Sequence, residues 1–272
     1  MYGSVPPSAA DPYLHLAGVY DEIVVDPCHG RWAAFLDRLW SDDVPGVGTV
    51  LDVCCGTGLM SAELLALGYR VSGVDASAAM LARARRRLGA DVPLTRATLP
   101  DLGPGGVVDA AVSTLDGLNY LTPDAFRSTL AGLSSRIRPG GWCVFDLHTD
   151  AMMAFAAAHP VISGAAGGRR FTITNVVDAG GRTCDARIDV IDDRDGASFS
   201  EHHLQYFFTD GEVGTALTDA GFDVVAVTDE YTADPVGPGT LRATWVGRRP
   251  PRPAGQGEAA HSPRTGRGGV AR

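Results

Sequence analysis

The sequence predicts an α/β protein with a mostly parallel sheet of seven strands, N-terminal helices and an inserted antiparallel β lid. Three observations support this prediction. Apolar strand segments alternate with helical segments between residues 49 and 147, a glycine-rich turn joins the first strand to the next helix, and three strand segments follow one another between residues 171 and 208. Strand–helix alternation implies right-handed crossovers and helices on both faces of the sheet.

Apolar periodicity and turn residues assign the elements of the first half. Two helices come first, at residues 13–25 and 31–40, and Pro45-Gly46 ends that region. Strands are predicted at residues 49–54, 70–74, 92–96, 107–113 and 142–147, and the helices between them at residues 59–67, 77–88 and 123–137.

The second half changes character. Strands at residues 171–177, 184–191 and 197–208 are joined by turns containing Gly and Asp, and we interpret them as the lid. A helix at residues 210–220 and strands at 223–228 and 241–247 complete the core. The predicted organisation is an N-terminal helical cap (1–48), a core (49–165), a lid insertion (166–209), the end of the core (210–249) and a disordered tail (250–272).

The composition excludes several chemistries. All 23 basic residues are arginine, so a Walker A loop, a Schiff-base lysine and a pyridoxal phosphate attachment are ruled out. The net charge is −9, and the tail carries four arginines and one glutamate, so residues 1–249 carry −12. A nucleic-acid enzyme is expected to present a basic surface, and we therefore predict no nucleic-acid partner.

Neither the cysteines nor the apolar runs indicate a metal site or a membrane segment. The five cysteines form no C-x-x-C pair, and we predict reduced thiols and no metal. The chain has no apolar run of about 20 residues and no signal-peptide pattern near its first residues. We expect a cytoplasmic protein, monomeric or homodimeric, without a membrane partner.

The most specific motif is the turn after the first strand, Leu51-Asp-Val-Cys-Cys-Gly-Thr-Gly58. Gly56 and Gly58 allow the backbone to approach a ligand closely, and the following helix N-terminus favours negative charge. Asp75 ends the second strand, 23 residues after Asp52. An acidic residue at this place is positioned to bind the two hydroxyls of a ribose.

With these motifs the chain resembles the class I S-adenosylmethionine-dependent methyltransferases, which have a Rossmann-like fold. The resemblance covers residues 18–148 and includes segments 68–77, 80–84, 109–113, 118–121, 138–141 and the pair Phe145-Asp146. It implies that S-adenosylmethionine is the cofactor and S-adenosylhomocysteine the product. The cofactor-binding residues that it implies are Tyr20, Trp32, Asp52, Cys54, Gly56, Gly58, Asp75, Ala76, Met80, Ala97, Thr98 and Ser113.

The resemblance also assigns parts of the cofactor to these residues. Asp52 and the glycine turn face the methionine part, Asp75 binds the ribose, and Ala76 and Met80 border the adenine. Tyr20, with His29 and Trp32, closes the methionine end, although Trp32 can equally be a core residue.

Two departures from the family pattern concern the cofactor site. Cys54 replaces a frequent glycine, which we expect to alter the turn only slightly; we interpret Cys54 and Cys55 as turn residues and not as nucleophiles. The family's acidic residue for the adenine amino group is replaced by Ala97 or Thr98. Asp101 can substitute for it, or backbone groups can hold the adenine alone.

Methyl transfer needs alignment in a dry pocket, and an O- or N-nucleophile can also need a base. His148 and His203 are the candidate catalytic residues. His148 follows the fifth strand, and His202 and His203 lie on the last lid strand, where only one of the two neighbours can face the pocket. We predict that Asp116, Asn119 and Tyr120, which follow the fourth strand at the same sheet edge, bind the substrate.

The predicted function is methyl transfer from S-adenosylmethionine to an O or N atom of a small molecule in secondary metabolism. A lid of this size suits a compact acceptor. The alternative from another class is a cyclase, an isomerase or a non-catalytic partner that has lost methyl transfer. A nicotinamide-dependent dehydrogenase is disfavoured because Ser61 stands where the third glycine of G-x-G-x-x-G belongs.

Overall fold

A computed structural model describes residues 13–23, 28–44 and 46–251. The predictions made for residues 1–12, 24–27 and 45, and for the tail from residue 252 onwards, lie outside these described residues. Within them, no helix is long and apolar enough to cross a membrane.

The main sheet has seven strands, as predicted, in the order β10-β11-β5-β4-β1-β2-β3. The pairs β3–β2, β2–β1, β1–β4 and β4–β5 are parallel. Strand β11 runs antiparallel to both β5 and β10. The strands are β1 (Thr49–Val53), β2 (Arg70–Asp75), β3 (Leu94–Arg96), β4 (Val108–Ser113), β5 (Ile137–His148), β10 (Asp223–Asp229) and β11 (Arg242–Arg248).

Helices cover both faces of this sheet. The longer helices are α2 (His29–Trp40), α3 (Leu59–Ala66), α4 (Ala78–Leu88), α5 (Pro123–Arg136), α6 (Asp150–Ala158) and α7 (Asp210–Asp219). The core on one face contains Phe126, Leu130 and Leu217 from α5 and α7. On the other face Leu36 and Leu64 from α2 and α3 pack with the sheet. The sheet is therefore buried on both sides, which explains the continuous apolar runs of its central strands.

A second, antiparallel sheet forms the lid in the order β6-β7-β8-β9. Its strands are β6 (Val161–Ala166), β7 (Arg169–Asp178), β8 (Thr183–Asp192) and β9 (Ser198–Tyr206). The lid therefore has one strand more than the three predicted and begins earlier in the chain. The sequence of β6 consists of Val, Ile, Ser, Gly and Ala, and Ser, Gly and Ala favour strands weakly, so pairing with β7 fixes this strand.

Three other assignments differ from the sequence-based ones. The helix α6 was not predicted. The single helix expected at residues 13–25 is a 3₁₀ turn, Leu16–Gly18, followed by the short helix α1 (Tyr20–Ile23). Strand β5 begins at Ile137 and not at Trp142, and its pairing with β4 shifts register across Pro139, Gly140 and Gly141. The Pro-Gly-Gly run obscures this first part of the strand, because such residues usually mark turns.

The start of β1 is anchored by Asp109 of β4. Its carboxylate accepts hydrogen bonds from the backbone N of Gly48 at 3.0 Å, the backbone N of Thr49 at 2.8 Å and the Thr49 hydroxyl at 2.7 Å. The Arg138 guanidinium donates a fourth bond at 2.7 Å. Partial burial by itself would raise the pKa of Asp109, but the bonds from Thr49 and Arg138 outweigh it and lower the pKa to about 2.

We expect Asp109→Asn to lower the free energy of unfolding by about 1–2.5 kcal/mol at pH 7, because a pKa depressed in the folded state stabilises the fold above the unfolded pKa of ~3.9. The difference from wild type should shrink as the pH falls from about 4 towards 2. Urea denaturation across this range measures it, with Asp124→Asn as an exposed control. A difference that is constant from pH 7 to pH 2.5 would contradict the assignment.

Candidate active site

A cavity opens at the carboxyl ends of β1, β2 and β4, the sheet edge where open α/β folds bind ligands. Turns after these strands form its walls, and Tyr13, Tyr20 and His29 cover it from the N-terminal region. The predicted site residues that line it are Tyr20, Cys54, Gly56, Asp75, Ala76, Met80, Ala97, Thr98 and Tyr120. Those that do not line it are Trp32, Asp52, Gly58, Ser113, Asp116, Asn119, His148 and His203.

Asp75 fixes the glycine turn at the centre of the cavity. One carboxylate oxygen accepts a hydrogen bond from the backbone N of Gly56 at 2.8 Å, and the other accepts from the backbone N of Ser77 at 2.8 Å. The same carboxylate therefore orders the loop after β1 and the start of α4, whose N-cap is Ser77. A negative charge is held at the cavity wall by two loops at once.

Asp52, Gly58 and Ser113 support this wall from behind. Asp52 is fully buried, and its carboxyl accepts a hydrogen bond from the Ser61 hydroxyl at 2.5 Å. Burial raises the pKa of Asp52 to about 7, and the Ser61 bond opposes the rise. Gly58 has φ +80°, and a Cβ there would lie 2.9 Å from Leu88 Cδ1, so α4 packs where a side chain would be. Ser113 is buried at the end of β4.

The expectation that Trp32 borders the cavity is not met. Its indole is 2% exposed and stacks on the Tyr231 ring with centroids 4.7 Å apart, and the Arg242 guanidinium lies over it at 5.6 Å. The apolar face of α2 thus turns Trp32 into the core, the other interpretation open from the sequence. His29, one helical turn earlier, lines the cavity instead.

The wall after β3 consists of Ala97, Thr98 and Leu99, and the backbone N of Ala97 donates to the Asp75 carbonyl at 3.1 Å. Asp101 does not line the cavity. Its exposed carboxylate accepts from the backbone N of Gly103 at 2.8 Å. The structure therefore offers no acidic side chain from this loop, and backbone groups and apolar contact remain.

The roof is the N-terminal segment, defined as residues 13–23. Asp21 accepts a hydrogen bond from the Thr57 hydroxyl at 2.7 Å and forms an ion pair with Arg87 at 2.6 Å. Leu16 and Val19 of the segment pack against Val190 of the lid. The glycine turn and the lid therefore hold the segment over the cavity together, and Tyr13 and Tyr20 project into it.

Asp116 and His148 belong to a partly buried polar network beside the cavity. His148 Nε2 lies 3.3 Å from Asp116 Oδ1, and Gln205 and Arg242 donate to the same carboxylate at 2.7 and 3.1 Å. Burial would raise the pKa of Asp116, but His148 and Arg242 outweigh it and hold the pKa below its usual range. Asp146 orders the turn, because its carboxylate accepts from the backbone N of Leu115 and of Asp116 at 2.9 and 2.5 Å.

Asp116 and Asn119, which the sequence predicted to bind the substrate, bind other parts of the protein instead. Asn119 is fully buried; its amide donates to the Tyr206 carbonyl at 2.7 Å and accepts from the backbone N of His148 at 3.0 Å. Asp116 binds the side chains named above. Both lie behind the cavity wall because the turn after β4 directs Tyr120, and not these residues, towards the cavity.

His203 lies behind the tyrosine end of the cavity. Its Nδ1 is 3.3 Å from the Tyr120 hydroxyl, and the Tyr13 hydroxyl donates to that of Tyr120 at 2.5 Å. The side chain of His203 is 5% exposed, whereas that of His202 is 59% exposed and lies near Asp185. The two histidines therefore point to opposite faces of β9, as the strand period requires.

Sequence reasoning did not identify Tyr13, Gln205, Glu201 and Arg242 as parts of this region. Each comes from an element distant in sequence from the turns, and none belongs to a motif. Asp146 is within the Phe145-Asp146 pair that contributed to the resemblance, but its bonds to the turn at Leu115 could not be inferred from that pair.

Cys54 adopts a backbone conformation that favours glycine, the residue that the family frequently has at this position. Its φ is +58°, in the left-handed region that glycine adopts without strain. Burial, together with the nearby carboxylates of Asp75 and Asp52, raises the pKa of its thiol far above the usual value. The neutral thiol agrees with a turn residue that lines the cavity and is not a nucleophile.

Comparisons with known proteins agree with this architecture. Residues 50–141 match the family model described as methyltransferase domain. A putative methyltransferase, YqeM of Bacillus subtilis, is 31% identical over 146 residues, which span 52% of this chain and 58% of that protein. The chain thus spans less than two thirds of this relative.

Two longer matches cover most of both chains. A dTDP-4-amino-2,3,4,6-tetradeoxy-D-glucose N,N-dimethyltransferase of Saccharopolyspora spinosa is 28% identical over 218 residues, or 75% of this chain and 84% of that protein. An S-adenosylmethionine-dependent methyltransferase of Clostridium acetobutylicum superposes with a TM-score of 0.78 at 20% identity, covering 88% of this chain and 99% of that one.

The structure has a mostly parallel α/β sheet with a glycine turn after β1, an acidic residue at the end of β2 and an antiparallel lid. Together with the matches, these features show that the chain is similar to S-adenosylmethionine-dependent methyltransferases, which agrees with the resemblance that the motifs carry. The comparisons give no support to the cyclase, isomerase or non-catalytic alternative.

We expect Cys54→Gly to be more stable than Cys54→Ala by about 1 kcal/mol, because only glycine removes the cost of a Cβ at a left-handed position. Urea denaturation of the two variants measures the difference. At Cys55, which has no positive φ, the alanine variant should be more stable than the glycine variant by about 0.5–1 kcal/mol. An alanine variant more stable than the glycine variant at both positions would contradict the conformation described for Cys54.

Proposed function

We propose that the protein transfers a methyl group from S-adenosylmethionine to the nitrogen of a small-molecule amine in natural-product biosynthesis. The observation that carries the proposal is the cavity with Asp75 and the glycine turn at one end and three tyrosines, Tyr13, Tyr20 and Tyr120, at the other. The first end has the groups that a nucleoside needs, and the second has those that suit an amine.

The residues of the cavity fit the cofactor. Asp75 would accept hydrogen bonds from the ribose hydroxyls, with its carboxylate already fixed by the amides of Gly56 and Ser77. Ala76, Met80, Ala97 and Leu99 would enclose the adenine by apolar contact, and the turn at Cys54 and Gly56 would face the methionine part. When bound, the cofactor supplies a methyl group on an activated sulfonium.

The tyrosine end supports an amine acceptor. Among the described residues that line the cavity there is no arginine, so a phosphate or carboxylate of the acceptor would find no guanidinium there. Aromatic ring faces attract ammonium groups. One of the two longer matches supports this choice, because the protein from Saccharopolyspora spinosa is named for N,N-dimethylation of an amino sugar.

The protein's own contribution is alignment, exclusion of water and removal of one proton. The N-terminal segment covers the cavity and the lid packs against that segment, which would keep the reacting atoms dry. Of the two candidate bases, we favour His203, because it contacts the cavity-lining Tyr120 directly. His148 is bound to Asp116 and does not reach the cavity wall.

Asp75→Ala should weaken the binding of S-adenosylhomocysteine by about 1.5–3 kcal/mol, because it removes a charge-assisted acceptor of the ribose hydroxyls. Calorimetric titration of the full chain measures the change. Asp101→Asn is the matched control, since this carboxylate is close in sequence but outside the cavity, and it should bind as wild type does. Equal affinity of wild type and a folded Asp75→Ala would refute the role of Asp75.

The choice of nitrogen is tested with amino sugars and hydroxyl analogues of the same skeleton. Incubated with S-adenosylmethionine and the full chain, the amino compound should gain one or two methyl groups, read by mass spectrometry. The hydroxyl analogue should remain unmodified, because a neutral alcohol lacks the charge that the tyrosine rings attract. Methylation of the hydroxyl analogue alone would reject the amine proposal while leaving methyl transfer intact.

A further inference from the structure

A chain of polar groups leads from the tyrosine end of the cavity into the lid. The Tyr13 hydroxyl donates to the Tyr120 hydroxyl at 2.5 Å, the Tyr120 hydroxyl lies 3.3 Å from His203 Nδ1, and His203 Nε2 lies 3.5 Å from Glu201 Oε2. Because Tyr13 donates to Tyr120, the Tyr120 hydrogen is available to His203 Nδ1. The directions of the bonds therefore agree along the whole chain.

Glu201 divides its two carboxylate oxygens between two neighbours. Oε1 accepts hydrogen bonds from the backbone N of His15 and of Leu16, at 2.7 and 2.9 Å. Oε2 is buried and has no hydrogen-bond partner within the usual geometry, and neither has His203 Nε2, which faces it. Each of these two atoms satisfies the other only if Nε2 carries the hydrogen.

We infer that Glu201 is a positioning residue that holds His203 with its hydrogen on Nε2, so that Nδ1 accepts a proton from the acceptor amine through Tyr120. The inference rests on the proposed function, because it describes how the amine loses its proton. Glu201 lies outside the segments that carry the family resemblance, whereas Tyr120 lies within segment 118–121.

The proton balance of the step is simple. An ammonium acceptor gives one N–H proton to the Tyr120 oxygen as the Tyr120 hydrogen moves to His203 Nδ1. The amine keeps its lone pair for the methyl group, and the His203 imidazolium faces the Glu201 carboxylate. One proton has moved from nitrogen to Nδ1, and Tyr120 is again a phenol.

The charges around the chain suit this role. Burial and neighbouring tyrosines raise the pKa of Tyr13, and burial with the charge of Asp116 raises that of Tyr120, so both phenols stay protonated and relay a proton without storing it. Partial burial would raise the pKa of Glu201, but His203 and the amides of Leu16 and His15 outweigh it and lower the pKa, so the carboxylate stays ionised. Tyr13, Tyr120 and Glu201 come from three different elements.

The same carboxylate couples the relay to the roof. The amides that bind Oε1 belong to the N-terminal segment, which also supplies Tyr13. The relay is therefore complete only when this segment covers the cavity, the state in which water is excluded.

The test reads the hydrogen position directly, by ¹⁵N NMR of the histidine side chains in the full chain without cofactor. His203→Gln assigns the signal of His203 by its loss. We expect the hydrogen on Nε2 in the neutral ring of wild type. In Glu201→Gln the amide oxygen should keep the backbone bonds and turn the amide NH₂ towards Nε2, which moves the hydrogen to Nδ1. A hydrogen on Nδ1 in wild type, or the same nitrogen protonated in both proteins, would overturn the inference.

Measurement of kcat provides a second test of the role of Glu201. Glu201→Gln should lower kcat by about 10–10²-fold and shift the pH dependence of kcat, with S-adenosylhomocysteine affinity unchanged within about twofold. Two control variants are available. His202→Gln lies on the exposed face of β9 and should have the kcat of wild type. Glu22→Gln loses the ion pair between the N-terminal segment and Arg169 and should keep the wild-type tautomer of His203.

The outcomes distinguish a failure of the proposed function from a failure of the role of Glu201. A wild-type protein that methylates no amine would reject the proposed function, whereas an active wild type with an unchanged kcat in Glu201→Gln would reject only the role of Glu201. The wild-type tautomer is read without Glu201→Gln, so a hydrogen on Nδ1 in wild type would overturn the inference even if that variant folds poorly.

Discussion

The arrangement of the site depends on carboxylates that hold the backbone amides of the turns at the ends of the strands. Asp75 at the end of β2 binds the amides of Gly56 and Ser77, and Asp146 in β5 binds those of Leu115 and Asp116. Turns that leave a parallel sheet expose amides that no neighbouring strand can satisfy. A charged acceptor fixes two of them at once and so sets the shape of the cavity wall.

This constraint also accounts for the unusual backbone at the cavity. Cys54, Leu115 and Asp116 are non-glycine residues with positive φ. Such conformations cost free energy and persist only where neighbouring bonds determine them. Burial raises the pKa of Asp146 to about 6, although the charge of Arg242 opposes the rise. The carboxylate that holds the two amides is therefore itself buried at a cost in free energy. These three strained positions thus lie in the turns that form and support the cavity wall.

The roof of the cavity is assembled from segments that are far apart in sequence. Glu201 of the lid holds the amides of His15 and Leu16, and Asp21 ties the N-terminal segment to Thr57. The cofactor end and the tyrosine end are therefore covered by one segment with two anchors. A covered cavity favours reactions that require exact alignment and little water, which methyl transfer does.

The sequence could predict what local patterns determine. The alternation of strands and helices gave the seven-stranded sheet, and the turn with Gly56 and the acidic Asp75 located the cavity. It could not predict β6, whose residues favour strands weakly, or decide between cavity and core for Trp32, because the apolar face of α2 could have packed against either. The network of Asp116 with Gln205 and Arg242 joins three elements, and contacts of this kind follow from tertiary packing alone. The position of the cofactor in the cavity is tested most directly by a crystal structure of the full chain with S-adenosylhomocysteine. The account predicts ribose hydroxyls within hydrogen-bond distance of Asp75 and the homocysteine end between Cys54 and Tyr20, whereas a ligand bound with its ribose elsewhere, or no ligand at saturating concentration, would contradict it.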